Sequence, residues 1–495
     1  MILFIKQILH LSIIFFLLPL YLNASSSKRV LKSNMIVDNQ TLPKNANNFT
    51  ELFTEGFFYG RLRFNSFGFQ WDDELVSNDK VTRKDHAIAA LGGSLLYKSA
   101  YLNGFAFTAG FYFSQAFGTL NDNEAYLYKA GKGALSRYKS MDDGQSGMAS
   151  LAQVYLEYRH RYFEVKAGRL LFESFLTKSN DTKMIPNTFE GVTLETQNIT
   201  DTKLKMAYLT KQKLRDHTEF HHVLAYADKL EDEESHQYTQ NDDTAMHLGL
   251  TESKLATKGI DNKLIVLDVK NKSIDNLLLK MNYTAVPNLV SSMMIQADYK
   301  MMWNNLSVTP ALRYMQQFDN GAGAIGGANL KTNTVGYEDP NSLESWLLGL
   351  RVDVAQDAWK LRFGYTQVAD EGDIVAPWRG FPTGGFTRMM AQYNWYANTK
   401  TYMLRADYDF DKAGLISKLK GFMRLGFQDF DNDKEGVQAD SYVVTLDLLK
   451  EFESIPNLYM KFRMANVWGN ALDNGTIQKL NPSYDEARLE FNYLF

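Results

Sequence analysis

Cysteine is absent from the 495 residues. That excludes a disulfide framework, a thiolate metal site and a cysteine nucleophile, and it leaves no attachment residue for a lipoprotein anchor. Histidine is rare, at 8, and no Ser/His/Asp arrangement stands at a recognisable spacing, although a triad assembled only in space would not be visible here. No excess of positive charge exists either. The net charge of −4 argues against nucleic acid as a partner. Beyond the first two dozen residues no apolar run is long enough to cross a bilayer as a helix, which takes about 20 residues. With 22% charged residues and a mean hydropathy of −0.31, the chain reads as soluble on hydropathy alone. A membrane β-barrel hides in the same way, because lipid-facing and lumen-facing residues alternate and average out.

The N-terminal residues are of a different kind. Lys6 precedes an apolar stretch from Ile8 to Leu22, and Leu22-Asn23-Ala24 offers a small residue for cleavage. This is the build of a secretory signal peptide, residues 1–24, to be set aside from the fold. Residues 25–56 follow as a polar N-terminal segment, expected in the periplasm, with a helical turn expected at Asn47–Phe53. The pattern leaves open whether it packs into the barrel mouth instead. Residues 57–495 form one domain without a linker.

Within that domain the dominant signal is period 2, the spacing at which strand residues share a face. Ala487, Leu489, Phe491, Tyr493 and Phe495 alternate with Arg488, Glu490, Asn492 and Leu494, and Tyr402, Leu404, Ala406 and Tyr408 alternate with Met403, Arg405 and Asp407. Such stretches recur from Phe57 to Phe495 with Tyr, Phe and Trp near their ends, as an aromatic girdle requires. Aromatic residues make up 13% of the chain. Tight links (Tyr101–Gly104, His160–Tyr162, Asn198–Asp201, Asn271–Ser273, Met302–Asn304, Gln356–Ala358) alternate with long ones (Ala116–Met148, Leu171–Thr188, Lys213–Asp261, Phe318–Leu343, Val368–Lys400). Short periplasmic turns and long external loops give that alternation. Met389–Tyr396 is an ambiguous strand. Counting it gives an odd total, whereas a single-chain bacterial barrel needs an even one. The expectation is therefore an all-β, transmembrane antiparallel barrel of about eighteen strands, with Met389–Tyr396 left in a loop.

Four segments carry a resemblance. They are AIAALGGSLLYKSAYLNGFAFTAGFYFSQAFGTLN (Ala87–Asn121), VKAGRLLFESFLTKSNDTKMIPNTFEGVTLET (Val165–Thr196) with Pro186, Thr188, Phe189, Glu190 and Gly191 in a P-x-T-F-E-G pattern, TYMLRADYDF with KLKGFMRLGFQDFDND inside Thr401–Asp433, and the terminal ARLEFNYLF. The first three resemble the OprD-type family of substrate-selective outer-membrane porins, and the last matches outer-membrane barrels generally. The resemblance implies an eighteen-stranded barrel, loops folded inward to narrow a pore, and a ladder of basic side chains that guides anionic, often carboxylate-bearing solutes. The loops depart from the family, notably DKLEDEESHQYTQNDD at Asp228–Asp243, so a particular substrate does not carry over.

Fixing each strand's phase by its apolar face places basic residues on the other. The candidate pore lining is Arg61, Arg63, Lys205, Arg313, Arg351, Lys360, Arg362, Arg405, Arg424, Lys461, Arg463 and Arg488. Fewer acids share that face: Glu157, Glu164, Glu195, Asp298, Asp353, Asp407, Asp447 and Glu490. Two readings stay open, a cationic row that concentrates anions and cross-strand pairs that hold the wall in shape. No cofactor site is expected. Gly321–Gly327 lacks the Lys-Ser/Thr of a phosphate loop, and Asp429, Asp431, Asp433 and Glu435 have Lys434 where a calcium loop needs glycine. The expected partners are small solutes, outer-membrane lipid, and the barrel-assembly machinery reading the strand that ends at Phe495. The pattern leaves monomer and trimer open. A passive porin is the leading function, with an adhesin or receptor barrel and a barrel enzyme as alternatives.

Overall fold

The computed structural model describes residues 29–33, 35–77, 80–224, 250–260, 263–331, 333–390 and 392–495. The signal segment 1–24 and the acidic stretch Asp228–Asp243 lie outside these.

Eighteen strands among the described residues close into one antiparallel barrel. Numbered along the chain they are β1 Phe57–Trp71, β2 His86–Lys98, β3 Phe105–Gly118, β4 Gly147–Arg159, β5 Phe163–Leu170, β6 Thr188–Ile199, β7 Thr202–Lys213, β8 Leu264–Asn271 and β9 Leu277–Val286. There follow β10 Val290–Tyr299, β11 Leu306–Asp319, β12 Ser345–Gln356, β13 Trp359–Val368, β14 Lys400–Asp409, β15 Leu419–Asp429, β16 Ser441–Glu451, β17 Leu458–Gly469 and β18 Tyr484–Leu494. Each pairs with its sequence neighbour, and β18 closes on β1 from Tyr484↔Trp71 to Leu494↔Arg61. Closure leaves no unpaired backbone facing hydrocarbon. No helix among the described residues is long and apolar enough to cross a membrane, so the strands make the crossing.

The alternation read from the sequence becomes two faces. On β3, Phe105, Phe111, Phe113 and Phe117 are exposed outward while Ala106, Thr108, Tyr112, Ser114 and Ala116 are buried inward. Tight turns such as 160–162, 200–201 and 357–358 share one rim. The long links 119–146, 171–187, 214–263, 320–344 and 369–399 share the other. Met389–Tyr396 lies inside 369–399, outside any strand. One link departs from the expected pattern. Pro287-Asn288-Leu289 joins β9 to β10 on the long-loop rim as a three-residue turn, with Asn288 at φ 62°, a conformation that Asn tolerates better than most residues.

Loops 171–187 and 369–399 fold into the barrel. Leu176, Ile374, Val375, Trp378 and Trp395 from loops 171–187 and 369–399 cluster with Leu209, Leu264, Met315 and Leu347 of the wall. Each large apolar side chain so buried contributes roughly 1.5–3 kcal/mol, and this holds the loops inside without regular pairing.

At the other rim, Arg29–Leu31 and Val37–Asn39 form a small antiparallel ribbon. Met35 at its turn is 2% exposed, and its carbonyl accepts a hydrogen bond from Arg61 Nη1 at 2.5 Å. Asn45–Ala46 then pairs in parallel with Tyr101–Leu102. A short helix, Phe49–Thr54, follows, capped by Asn48 Oδ1 accepting from the Glu51 amide at 2.9 Å.

Candidate functional site

Strand register fixes where the basic side chains meet. Arg362, Arg405 and Arg424 stand directly opposite one another across β13, β14 and β15, and Arg463 faces Arg488 across β17 and β18. Like charges directly opposed destabilise a sheet, so each needs compensation. Arg362 donates twice to Asp353, at 2.6 and 2.8 Å. Arg405 donates twice to Asp407, at 2.9 and 2.5 Å, and Lys360 approaches the same carboxylate at 3.6 Å. Asp447 pairs with Arg463 and lies 3.5 Å from Arg424, and Arg488 pairs with Glu486 at 2.5 Å. Arg405 and Arg424 also both sit over the Phe422 ring, 3.9 and 4.4 Å from its centre, where the ring quadrupole favours a cation.

A second group holds the inward loops. Arg61 and Arg63 both bind Asp181 of loop 171–187, Arg63 at 2.8 Å. Lys205 Nζ donates to the Glu173 carbonyl of that loop at 3.1 Å. Arg313 donates to the carbonyls of Pro382 and Gly384 at 2.6 and 2.9 Å. Gly385 O accepts from Arg351 at 3.2 Å and from Arg362 at 2.8 Å. Half the candidate set therefore engages backbone or carboxylate groups of the loops. The two loops also join each other: the Gly380 amide donates to Leu176 O at 2.8 Å, and the Lys178 amide to Trp378 O at 2.9 Å.

Beside this constriction runs a cavity of about 850 Å³, reaching from Ser33 of the N-terminal segment to Gln478 and Lys479 of the last long link. Arg424, Lys461, Arg463 and Arg488 of the candidate set line it. Lys461 has no carboxylate within ion-pair distance among the described residues, its Nζ lying 3.9 Å from Met35 Sδ. Seven more basic residues line the cavity from loops and links: Arg83, Lys129, Lys132, Lys183, Arg215, Arg388 and Lys479, against one carboxylate, Glu435, among the described lining residues. Strand phase could not find these seven, because loops have no period. The local signals were short runs such as Lys129-Ala-Gly-Lys132.

Arg388 is held among Phe381, Tyr393 and Trp395, 4.4, 5.5 and 5.7 Å from the ring centres. Burial, offset in part by Tyr393 and Tyr484, brings its guanidinium down to about 10, so it stays charged at neutral pH. Where cations outnumber the carboxylates beside them in a confined passage they can attract anions, and a guanidinium fork matches carboxylate geometry.

The family model for outer membrane porin, OprD family, matches residues 126–495. No curated protein matches the chain in sequence. Solved structures share the fold. Pseudomonas aeruginosa OpdK with vanillate aligns with a TM-score of 0.66 at 15% identity, covering 90% of this chain and 99% of that one. P. aeruginosa OpdQ aligns at 0.63 and 18%, covering 89% and 98%. Acinetobacter baumannii OccAB4 aligns at 0.64 and 15%, covering 90% and 99%.

Proposed function

The chain belongs to the OprD family of outer-membrane porins, and from that premise we propose that it passes small anionic, carboxylate-bearing solutes by passive, partly selective diffusion. Membership makes it a channel of the outer membrane rather than an enzyme. The observation that carries the anionic reading is the cavity lining, where eleven basic residues stand against one acid. Asp447 and Glu486 behind the lining offset part of this excess, and the cations that remain in the majority raise the local concentration of anions in a confined passage. The structurally similar OpdK holds vanillate, itself an anion.

In this reading the twelve basic residues divide their work. Arg424, Lys461, Arg463 and Arg488 meet the solute, with Arg388 added from loop 369–399. Arg61, Arg63, Lys205, Arg313, Arg351 and Arg362 hold the loops that set the bore. Lys360 and Arg405 supply positive potential from behind Asp407. Export through a signal peptide cleaved near Ala24, and recognition of the Phe495 strand by the assembly machinery, complete the proposal. A planar bilayer under a KCl gradient tests it. A reversal potential of the sign for chloride preference at low salt supports anion guidance, and an unselective or cation-preferring channel sinks it.

A further inference from the structure

The chain ahead of β1 passes from the inside of the barrel to its outside across the short-turn rim. Met35 is inside, under Arg61, and Asn45–Ala46 is at the rim beside Tyr101–Leu102. By the helix Phe49–Thr54 the chain is outside. The Phe53 ring lies 5.5 Å from Phe107, on the same face of β3 as the outward Phe105 and Phe111. The Phe53 carbonyl accepts from Tyr97 Oη at 2.6 Å. The rings then form an unbroken series: Phe49–Phe53 at 5.1 Å, Phe107–Tyr97 at 5.5 Å and Tyr97–Phe58 at 4.9 Å. Phe49 is 70% exposed and Phe58 62%.

One face of this helix is therefore aromatic and uncovered, with Phe49 and Phe53 at the i, i+4 spacing that stacks side chains on one side. Apart from the half-buried Leu52, the rest of it is polar: Thr50, Glu51 and Thr54. Glu51 Oε2 accepts from the Asn47 amide at 2.8 Å, and Lys44 pairs with Glu55 at 2.7 Å. We propose that Phe49–Thr54 is an interfacial anchor that inserts Phe49 and Phe53 among the acyl chains of the periplasmic leaflet and so clamps the N-terminal segment across the rim. Phospholipid is favoured as the occupant by continuity. A second set of ring contacts, Phe105–Tyr158 at 4.7 Å and Tyr158–Phe163 at 6.1 Å, begins two residues from Phe107 on the same face of β3, as an aromatic belt at a membrane boundary does. Two protruding rings are also far too small an area for a stable contact between proteins.

The absence of cysteine makes the test direct. Single variants Phe49→Cys, Phe53→Cys and Thr54→Cys of the full mature chain, each with a nitroxide label, are reconstituted into phospholipid bilayers. Collision rates with oxygen and with a water-soluble nickel chelate report depth. Phe111→Cys on the outward wall and Ser273→Cys in a periplasmic turn supply the acyl and aqueous references. The expected result is that labels at 49 and 53 shift toward the Phe111 reference while the label at 54, on the polar face, stays near the Ser273 reference. Nickel accessibility at 49 equal to that at 273 overturns the proposal, and so does shielding from both reagents, which would mean that protein covers the face. Should the Phe53 variant fail to fold, position 49, already exposed, decides the question alone.

Discussion

Arg61 of the wall and Asp181 of loop 171–187 form an ion pair in which the two side chains are 1% and 4% exposed, and Arg63 shares the carboxylate. Asp181→Asn leaves two buried guanidiniums without their counter-charge. Breaking a buried pair from one side costs about 3–5 kcal/mol, here set against the packing of one loop, since the strands on either side keep their ladders. The expected outcome is a folded, heat-modifiable barrel whose unitary conductance is larger and noisier than wild type. Unchanged conductance and noise would mean that the loop is held by its apolar contacts alone.

The two inward loops meet backbone to backbone, and this gives a second way to open the same constriction. A Cβ placed on Gly380 would lie 2.3 Å from both the carbonyl carbon and the oxygen of Leu176, atoms that no rotamer change can move aside. Gly380→Val should part the loops and raise conductance. Because Leu176 and Asp181 lie on one loop, combining this change with Asp181→Asn should give less than the sum of the separate effects. Single-channel recording of the three variants checks the order, and full additivity would show two independent barriers.

Much of the barrel could be read from the chain because a strand has a period and a rim has a parity. Tyr402, Leu404 and Tyr408 announced an outward face, on which they are exposed, and the even count placed Met389–Tyr396 in a loop. The turn at Pro287–Leu289 broke the expectation that every link on that rim is long, since loop length answers to the lumen it must fill and not to strand pattern. The acids selected by phase, Asp298, Asp353, Asp407 and Asp447, are those that pair with Arg351, Arg362, Arg405 and Arg463. Register decides such pairs, and phase is its sequence shadow. Arg388, Lys183 and Arg215 stayed hidden because their positions depend on tertiary packing of aperiodic loops. Neither open reading of the basic face excludes the other: strand-borne cations are mostly paired, and the excess arises where loop cations join them.

An external clasp gives a pH prediction. Lys434 Nζ, with its side chain 1% exposed, lies 2.6 Å from both Asp370 and Asp431, so it ties loop 369–399 to the link 430–440. Burial alone would lower the ammonium, but the two hydrogen bonds outweigh burial and hold it above its ordinary value. Burial would likewise raise Asp431, and its bonds from Lys434 and Asn398 hold it below the usual carboxylate range. A raised lysine stabilises below about pH 10.4, the ordinary lysine value, and loses that as pH climbs through the folded value. A lowered aspartate stabilises above about pH 3.9, the ordinary aspartate value, and loses that as pH falls through its folded value. The clasp should hold between those limits and loosen in stronger acid. Limited proteolysis of the folded protein should cut these loops faster in acid than at neutrality. Lys434→Gln should cut fast at every pH, and a flat wild-type profile would refute the clasp.

The last prediction concerns the wall itself. Replacing Arg405, Arg424 and Arg463 with Gln removes three cations, leaves Asp407 with Lys360 at 3.6 Å, and takes both arginine partners from Asp447. The local wall should thus lose most of its positive excess, while Lys461, Arg488 and the loop cations remain. The barrel should still assemble, because lumen substitutions tune selectivity while lipid-face charges destabilise. Long-range attraction weakens as the screening length falls from about 10 Å at 0.1 M salt to about 3 Å at 1 M. The reversal potential of the triple variant should therefore move toward cation preference in low salt and differ little from wild type in high salt. An equal shift at both salt concentrations would point to a changed bore in place of a changed field. No shift at either would make the wall arginines structural and leave selectivity to Arg388 and its neighbours on the loops.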